Sequence, residues 1–164
     1  MLNVRLISTA MLSVAVLLVG SVSNLAQSGG PIVFTANLTA TQEAPAPADS
    51  TPATAGGFAT LLFNPADNTL TFAVAYSGLS GTATLAHFHG ALPGVSGGVV
   101  QTVCGVPAPA LAGNCPSNGN SGFLQGVWNV PADQVNALVT GQLYLNIHTD
   151  LNKGGEIRGQ VLPR

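Results

Sequence analysis

Three histidines carry the most specific chemistry this chain can offer: His87, His89 and His148. In Leu85-Ala86-His87-Phe88-His89 the two imidazoles are two residues apart. On an extended strand that spacing puts both on one face and Phe88 on the other, with their bases about 7 Å apart. A ring nitrogen reaches a metal at roughly 2 Å, so the pair can converge on one ion. His148 is the remaining histidine, at the end of Leu143-Tyr144-Leu145-Asn146-Ile147. There it shares a face with Tyr144 and Asn146, opposite Leu143, Leu145 and Ile147. Imidazole-only ligation favours copper or zinc over calcium or magnesium, and copper leads on the affinity order. Without a metal, the same residues read as hydrogen-bonded histidines in or beside a core.

Other chemistries find less support. No Gly-x-Ser-x-Gly elbow occurs, and Glu43, Asp49, Asp67, Asp133, Asp150 and Glu156 are scattered, mostly in turns, where capping explains them better than paired-carboxylate catalysis. Glu156 and Arg158 share a face of the last strand, so Arg158 is expected to pair with Glu156 or, across strands, with Glu43 as a structural ion pair. Cys104 and Cys115 lie in one Gly/Pro/Asn-rich segment. Their spacing lacks a zinc-knuckle pattern, and in an exported protein a disulfide closing that short loop is the simplest reading. Asn37-Leu38-Thr39 matches a glycosylation sequon.

Elements that position these residues follow from period-two alternation. Ile32, Phe34, Ala36 and Leu38 alternate with Val33, Thr35, Asn37 and Thr39. Gly57 to Phe63 and Thr69 to Tyr76 flank the turn Asn64-Pro65-Ala66-Asp67-Asn68 and read as a hairpin. Further strands are expected over Thr82 to Gly90, Gly98 to Val103, Phe123 to Val130, Gln142 to Thr149 and Glu156 to Leu162. Pro131 opens the one expected helix, with Val135, Leu138 and Val139 as its apolar stripe and Gly141 as its stop. Seven or eight such strands with one short helix predict an all-β antiparallel sandwich.

Composition sets the compartment. Of 164 residues only 6 % are charged, with four Lys and Arg against six Asp and Glu. So few cations make no basic patch, which excludes nucleic acid as a partner. Residues 1–26 carry Arg5, an apolar run from Ala10 to Gly20, and then small residues, the pattern of a secretory signal peptide. That run is shorter than the roughly 20 residues of a spanning helix, so no membrane span is expected once it is cleaved. Residues 27–31 then form a short linker, and 32–164 one domain, secreted or held at the cell surface or in a periplasm. Low net charge also promotes association, and open edge strands offer pairing sites. A structural or adhesive module that self-associates, or meets another extracellular protein, is therefore the alternative to a metal-binding one.

Five segments occur in order: Gln42-Glu43-Ala44-Pro45, Tyr76-Ser77-Gly78-Leu79-Ser80-Gly81, Ala86-His87-Phe88-His89-Gly90, Tyr144-Leu145-Asn146-Ile147-His148-Thr149 and Gly154-Gly155-Glu156-Ile157-Arg158-Gly159-Gln160. Together they resemble the chordin (CHRD) domain from about Ile32 to the C-terminus. The resemblance implies an extracellular protein with an immunoglobulin-like Greek-key sandwich related to copper/zinc superoxide dismutase. In that enzyme a His-x-His on a strand supplies two copper ligands, and His87 and His89 match that motif, with His148 as the third candidate. The enzyme also needs a further copper histidine, a bridging histidine and a zinc loop. Three histidines cannot furnish these, so what remains is a mononuclear copper site with, at most, weak dismutase-like redox activity.

Overall fold

The computed structural model describes residues 29–116 and 119–164. The expected signal peptide, and the linker up to residue 28, lie outside the described residues. Among the described residues there are nine strands: β1 (Ile32–Thr39), β2 (Gly56–Asn64), β3 (Thr69–Ser77), β4 (Ala83–Gly90), β5 (Gly98–Cys104), β6 (Gly122–Asn129), β7 (Leu143–Thr149), β8 (Ile157–Gln160) and β9 (Leu162–Pro163). One α-helix, α1 (Ala132–Val139), precedes β7, and a single 3-10 turn, Ala40–Gln42, follows β1. All pairings are antiparallel.

Strand order is β5-β4-β7-β8-β1-β2-β3-β6, with β9 also on β1. β3 pairs with β6 and β4 with β7, so the chain twice skips over intervening strands. The two halves, β5-β4-β7-β8 and β1-β2-β3-β6, face each other as the layers of a sandwich. They are joined along one side, where Thr39 bridges Arg158 and β9 pairs with β1 at Thr35 and Leu162. The expected last strand from Glu156 to Leu162 is thus divided. Its first part pairs with β7 and its end with β1, and buried Val161 marks the switch, its N–H donating to the Leu143 carbonyl at 2.9 Å.

Alternation sorts the core as read from the sequence. Phe34, Ala36 and Leu38 of β1, Leu70, Phe72, Val74 and Tyr76 of β3, and Leu124 and Trp128 of β6 are all buried. Ile32 stays exposed because it lies at the open end of β1. In α1, Leu138 is fully buried and Val135 partly so, whereas Val139 points outward. The expected three-residue stripe is wider than the contact a two-turn helix makes here.

Phe88 locks the halves together. From β4 its ring stacks on Trp128 of β6 at 5.4 Å between centroids and meets Phe72 of β3 edge-on at 5.7 Å. Gly126, between the two inward residues of β6, leaves room for the Phe72 ring, since a Cβ there would lie 2.8 Å from it. Aromatic pairs of this kind add about 0.5–1.5 kcal/mol beyond area burial. The same strand therefore presents Phe88 to the core and His87 and His89 to its other side.

Phe88→Ala is expected to lower the unfolding free energy by about 3–5 kcal/mol, measured by urea denaturation. A loss below about 1 kcal/mol would show that the halves do not depend on this contact.

Candidate functional site

β7 explains where the site can form. All seven of its residues are buried, although only Leu143, Leu145 and Ile147 belong to the hydrophobic core. Tyr144, Asn146 and His148 emerge on the opposite face, as alternation requires, and there loops roof them. In the β4–β7 register His89 lies opposite Tyr144, His87 opposite Asn146 and Leu85 opposite His148. His148 is therefore the diagonal neighbour of His87, within reach of a long side chain. Two register shifts in the β4–β5 pairing immediately precede His87 and His89.

The three imidazoles converge. One nitrogen of each lies within 4.8 Å of the others, and His87 Nδ1 is 3.1 Å from His148 Nε2. Each ring uses its remaining nitrogen on a backbone carbonyl: His87 Nε2 on Val106 at 2.9 Å, His89 Nδ1 on Gly97 at 3.0 Å and His148 Nδ1 on Lys153 at 2.9 Å. A carbonyl only accepts, so each of these nitrogens carries the proton and donates. Lone pairs are then left on His87 Nδ1, His89 Nε2 and His148 Nε2.

Burial, partly offset by the Lys153 carbonyl and reinforced by His87 and His89, pushes His148 down to about 4. His89 is likewise lowered, first by burial. The His148 and His89 rings are therefore held toward the neutral form. His87 Nδ1 and His148 Nε2 face each other at 3.1 Å, while His89 Nε2 is buried without a partner. A cation among the three nitrogens would satisfy all of them. A metal at 2.0–2.1 Å from each needs nitrogens roughly 3.5 Å apart, so the 3.1 Å His87–His148 pair must open slightly and the His89 nitrogen must close in on them by about 1 Å. Histidine ligands tethered through their second nitrogen are the usual arrangement of protein metal sites.

Beside this cluster the rings stack. Tyr144 lies parallel to His89 at 4.8 Å and 5°, and the Arg158 guanidinium covers the other face of Tyr144 at 3.4 Å from its centroid. Arg158 donates to the carbonyls of Val95 and Leu92 at 2.7 and 3.0 Å and to Gln160 Oε1 at 3.3 Å. Gln160 in turn donates to the Ala91 carbonyl. Together they clamp the loop between β4 and β5, whose Gly97 orients His89 and accepts from the Tyr144 hydroxyl, which also takes the Gly97 N–H at 3.1 Å.

The expected Glu156–Arg158 pair does not form, because the two residues serve different loops. Glu156 is not part of β8. Its carboxylate accepts from Ser80 N and Oγ, Thr149 Oγ1 and Asn152 Nδ2. Glu43 does come near Arg158, whose charge acts on it, but its hydrogen bond is to Asn146 Nδ2 at 2.6 Å. Burial raises Glu43 to about 7 against the opposing effects of Arg158 and the Ala44 N–H. Cys104 and Cys115 form the expected disulfide, with Cα atoms 4.9 Å apart. It closes the loop that carries Val106. The carbonyls of Gly97, Val106 and Lys153 have no side-chain signature and were not expected from the sequence.

A family model described as CHRD domain matches residues 34–161. No curated protein and no solved structure matches the chain.

Glu156 ties the β3–β4 turn, the end of β7 and the β7–β8 loop together. Burial opposes its charge, but the bonds from Ser80, Thr149 and Asn152 outweigh that and hold it below the usual carboxylate range. A depressed folded value contributes stability above the unfolded carboxylate pKa that is lost as pH falls through the folded one. Glu156→Gln is expected to cost about 2 kcal/mol at pH 7. It should also flatten the acid limb of the stability–pH curve in urea titrations, and an unchanged limb would assign the acid sensitivity elsewhere.

Proposed function

The chain belongs to the CHRD domain family, and we propose that it is an extracellular metal-binding module holding one transition-metal ion at His87, His89 and His148. Copper is the favoured ion and zinc the alternative. One observation carries this reading: three buried imidazoles, their outer N–H groups fixed on carbonyls, aim their other ring nitrogens into one space. An all-imidazole set of borderline softness suits copper and zinc. The disulfide fits an oxidising compartment, in keeping with secretion.

His89 and His148, whose charged forms burial disfavours, bind a metal without first releasing a proton. Tyr144 stacking and the Gly97 carbonyl hold the His89 ring, while the disulfide loop holds His87. With three protein ligands a bound copper retains open coordination, the feature on which weak dismutase-like redox activity would rest. The site as built supports binding more directly than turnover, because Arg158, the cation stacked beside it on Tyr144, is buried and engaged with carbonyls.

Elemental analysis and calorimetry on protein stripped and reloaded with copper or zinc should give about one ion per chain. His87→Ala, His89→Ala and His148→Ala should each abolish stoichiometric binding, while circular dichroism shows the sheet retained. Full occupancy in His148→Ala would overturn the three-ligand site. Arg158→Lys keeps the charge but loses the fork that grips Leu92 and Val95. It should weaken metal affinity by roughly 10–100-fold and alter the copper spectrum, and an unchanged affinity and spectrum would remove Arg158 as a positioning residue.

A further inference from the structure

The outer face of β1-β2-β3-β6, on the far side of the core from the histidines, carries no charged residue along β2, β3 or β6. Register arranges it in rows across the strands. Phe58, Ala75 and Phe123 form one row, and Thr60, Ala73 and Gln125 the next. Leu62, Thr71 and Val127 form the third. Phe58, Leu62, Phe123 and Val127 are 52, 45, 55 and 53 % exposed. Relief follows from side-chain size: the two phenylalanines stand up at one end, and the second and third rows line a groove of about 510 Å³.

We propose that this face is a homodimer interface, in which a second copy of this chain packs about a two-fold axis lying along the row Thr60, Ala73 and Gln125. That rotation reverses strand direction and keeps strand order. It lays Phe58 of each copy over Leu62 of the other and Phe123 over Val127, so the four exposed apolar side chains of each face are covered by those of its partner. Such self-complementarity is what an isologous contact requires. The small middle row opposes itself and lets the sheets approach to the roughly 10 Å of packed sheets.

Charge and area favour a second copy over an unlike partner. An uncharged face meeting itself opposes no like charges. Asp67, in the β2–β3 turn beyond the third row, falls at opposite ends in the two copies. Four strands about 4.8 Å apart and up to nine residues long present roughly 19 by 30 Å. Two such faces bury on the order of 1,200 Å², the lower limit of specific, stable interfaces. Histidine ligation lies on the other half, so this proposal stands or falls separately from metal binding.

Sedimentation velocity of the purified protein across a wide concentration range should show a reversible monomer–dimer equilibrium. Phe58→Lys and Phe123→Lys should each raise the dimer dissociation constant at least about tenfold. Val139→Lys, an exposed change on α1 outside the face, should leave it unaltered. Retained circular dichroism and copper stoichiometry would show that the variants fold. A monomer at every concentration would overturn the proposal, as would a dimer untouched by both phenylalanine substitutions, which would place association elsewhere on the surface.

Discussion

Three hydrogen bonds from imidazole N–H groups to backbone carbonyls organise the histidine side of this molecule. Each fixes a tautomer, and each depends on a loop being in place. Arg158 and Gln160 clamp the loop that brings Gly97 to His89. The disulfide, with the Gly105 N–H on the Gly113 carbonyl, shapes the loop that brings Val106 to His87. Asn152 and Glu156 fold the segment that brings Lys153 to His148. If the carbonyls were absent, the rings could rotate or exchange tautomers, and the inward lone pairs would lose their common target. Loop structure and ligand geometry are therefore one problem in this fold.

Scarcity of charge sharpens the point. Nine charged side chains fall among the described residues, and Glu156 and Arg158 are fully buried. Burying an ion is costly unless its polar atoms are satisfied, so these two are placed where several loop groups need a strong acceptor or donor. Arg158 adds the guanidinium stack on Tyr144, which in turn fixes the plane of His89. Charge that would ordinarily solubilise a surface is here used to hold loops over a polar face.

Strand positions were legible because alternation has a period of two and one face of each strand must meet the core. That reasoning placed His87 and His89 on one face and Phe88 on the other, and put His148 with Tyr144 and Asn146. It could not show that this outer face is itself covered, since the cover comes from irregular segments whose contribution is backbone carbonyl. The expected Glu156–Arg158 pair failed for a related reason. Alternation assigns residues to a face but says nothing of their partners, and Glu156 lies before β8, where four donors from three segments surround it. Val139 was misplaced because a helical stripe reports potential contact, and α1 touches the core through little more than Leu138 and Val135.

Loop length accounts for the contrast between the two outer faces of the sandwich. β2 and β3 are joined by the short turn Pro65–Asn68, which cannot fold back over the sheet, so the face bearing Phe58 and Phe123 stays bare. By contrast, the β1–β2 connection brings Glu43 to Asn146 and the Asp49 N–H to Asn152. The β3–β4 turn brings Ser80 to Glu156, the β4–β5 loop reaches Arg158, and the disulfide loop reaches His87. With the β7–β8 segment that carries Lys153 to His148, five connections contribute to one half. Polar groups drawn together there must satisfy one another away from water, and the three inward imidazole nitrogens are the members of that network whose need a cation would meet. The opposite half has no such network, and its uncharged apolar rows are relieved of water only by another surface.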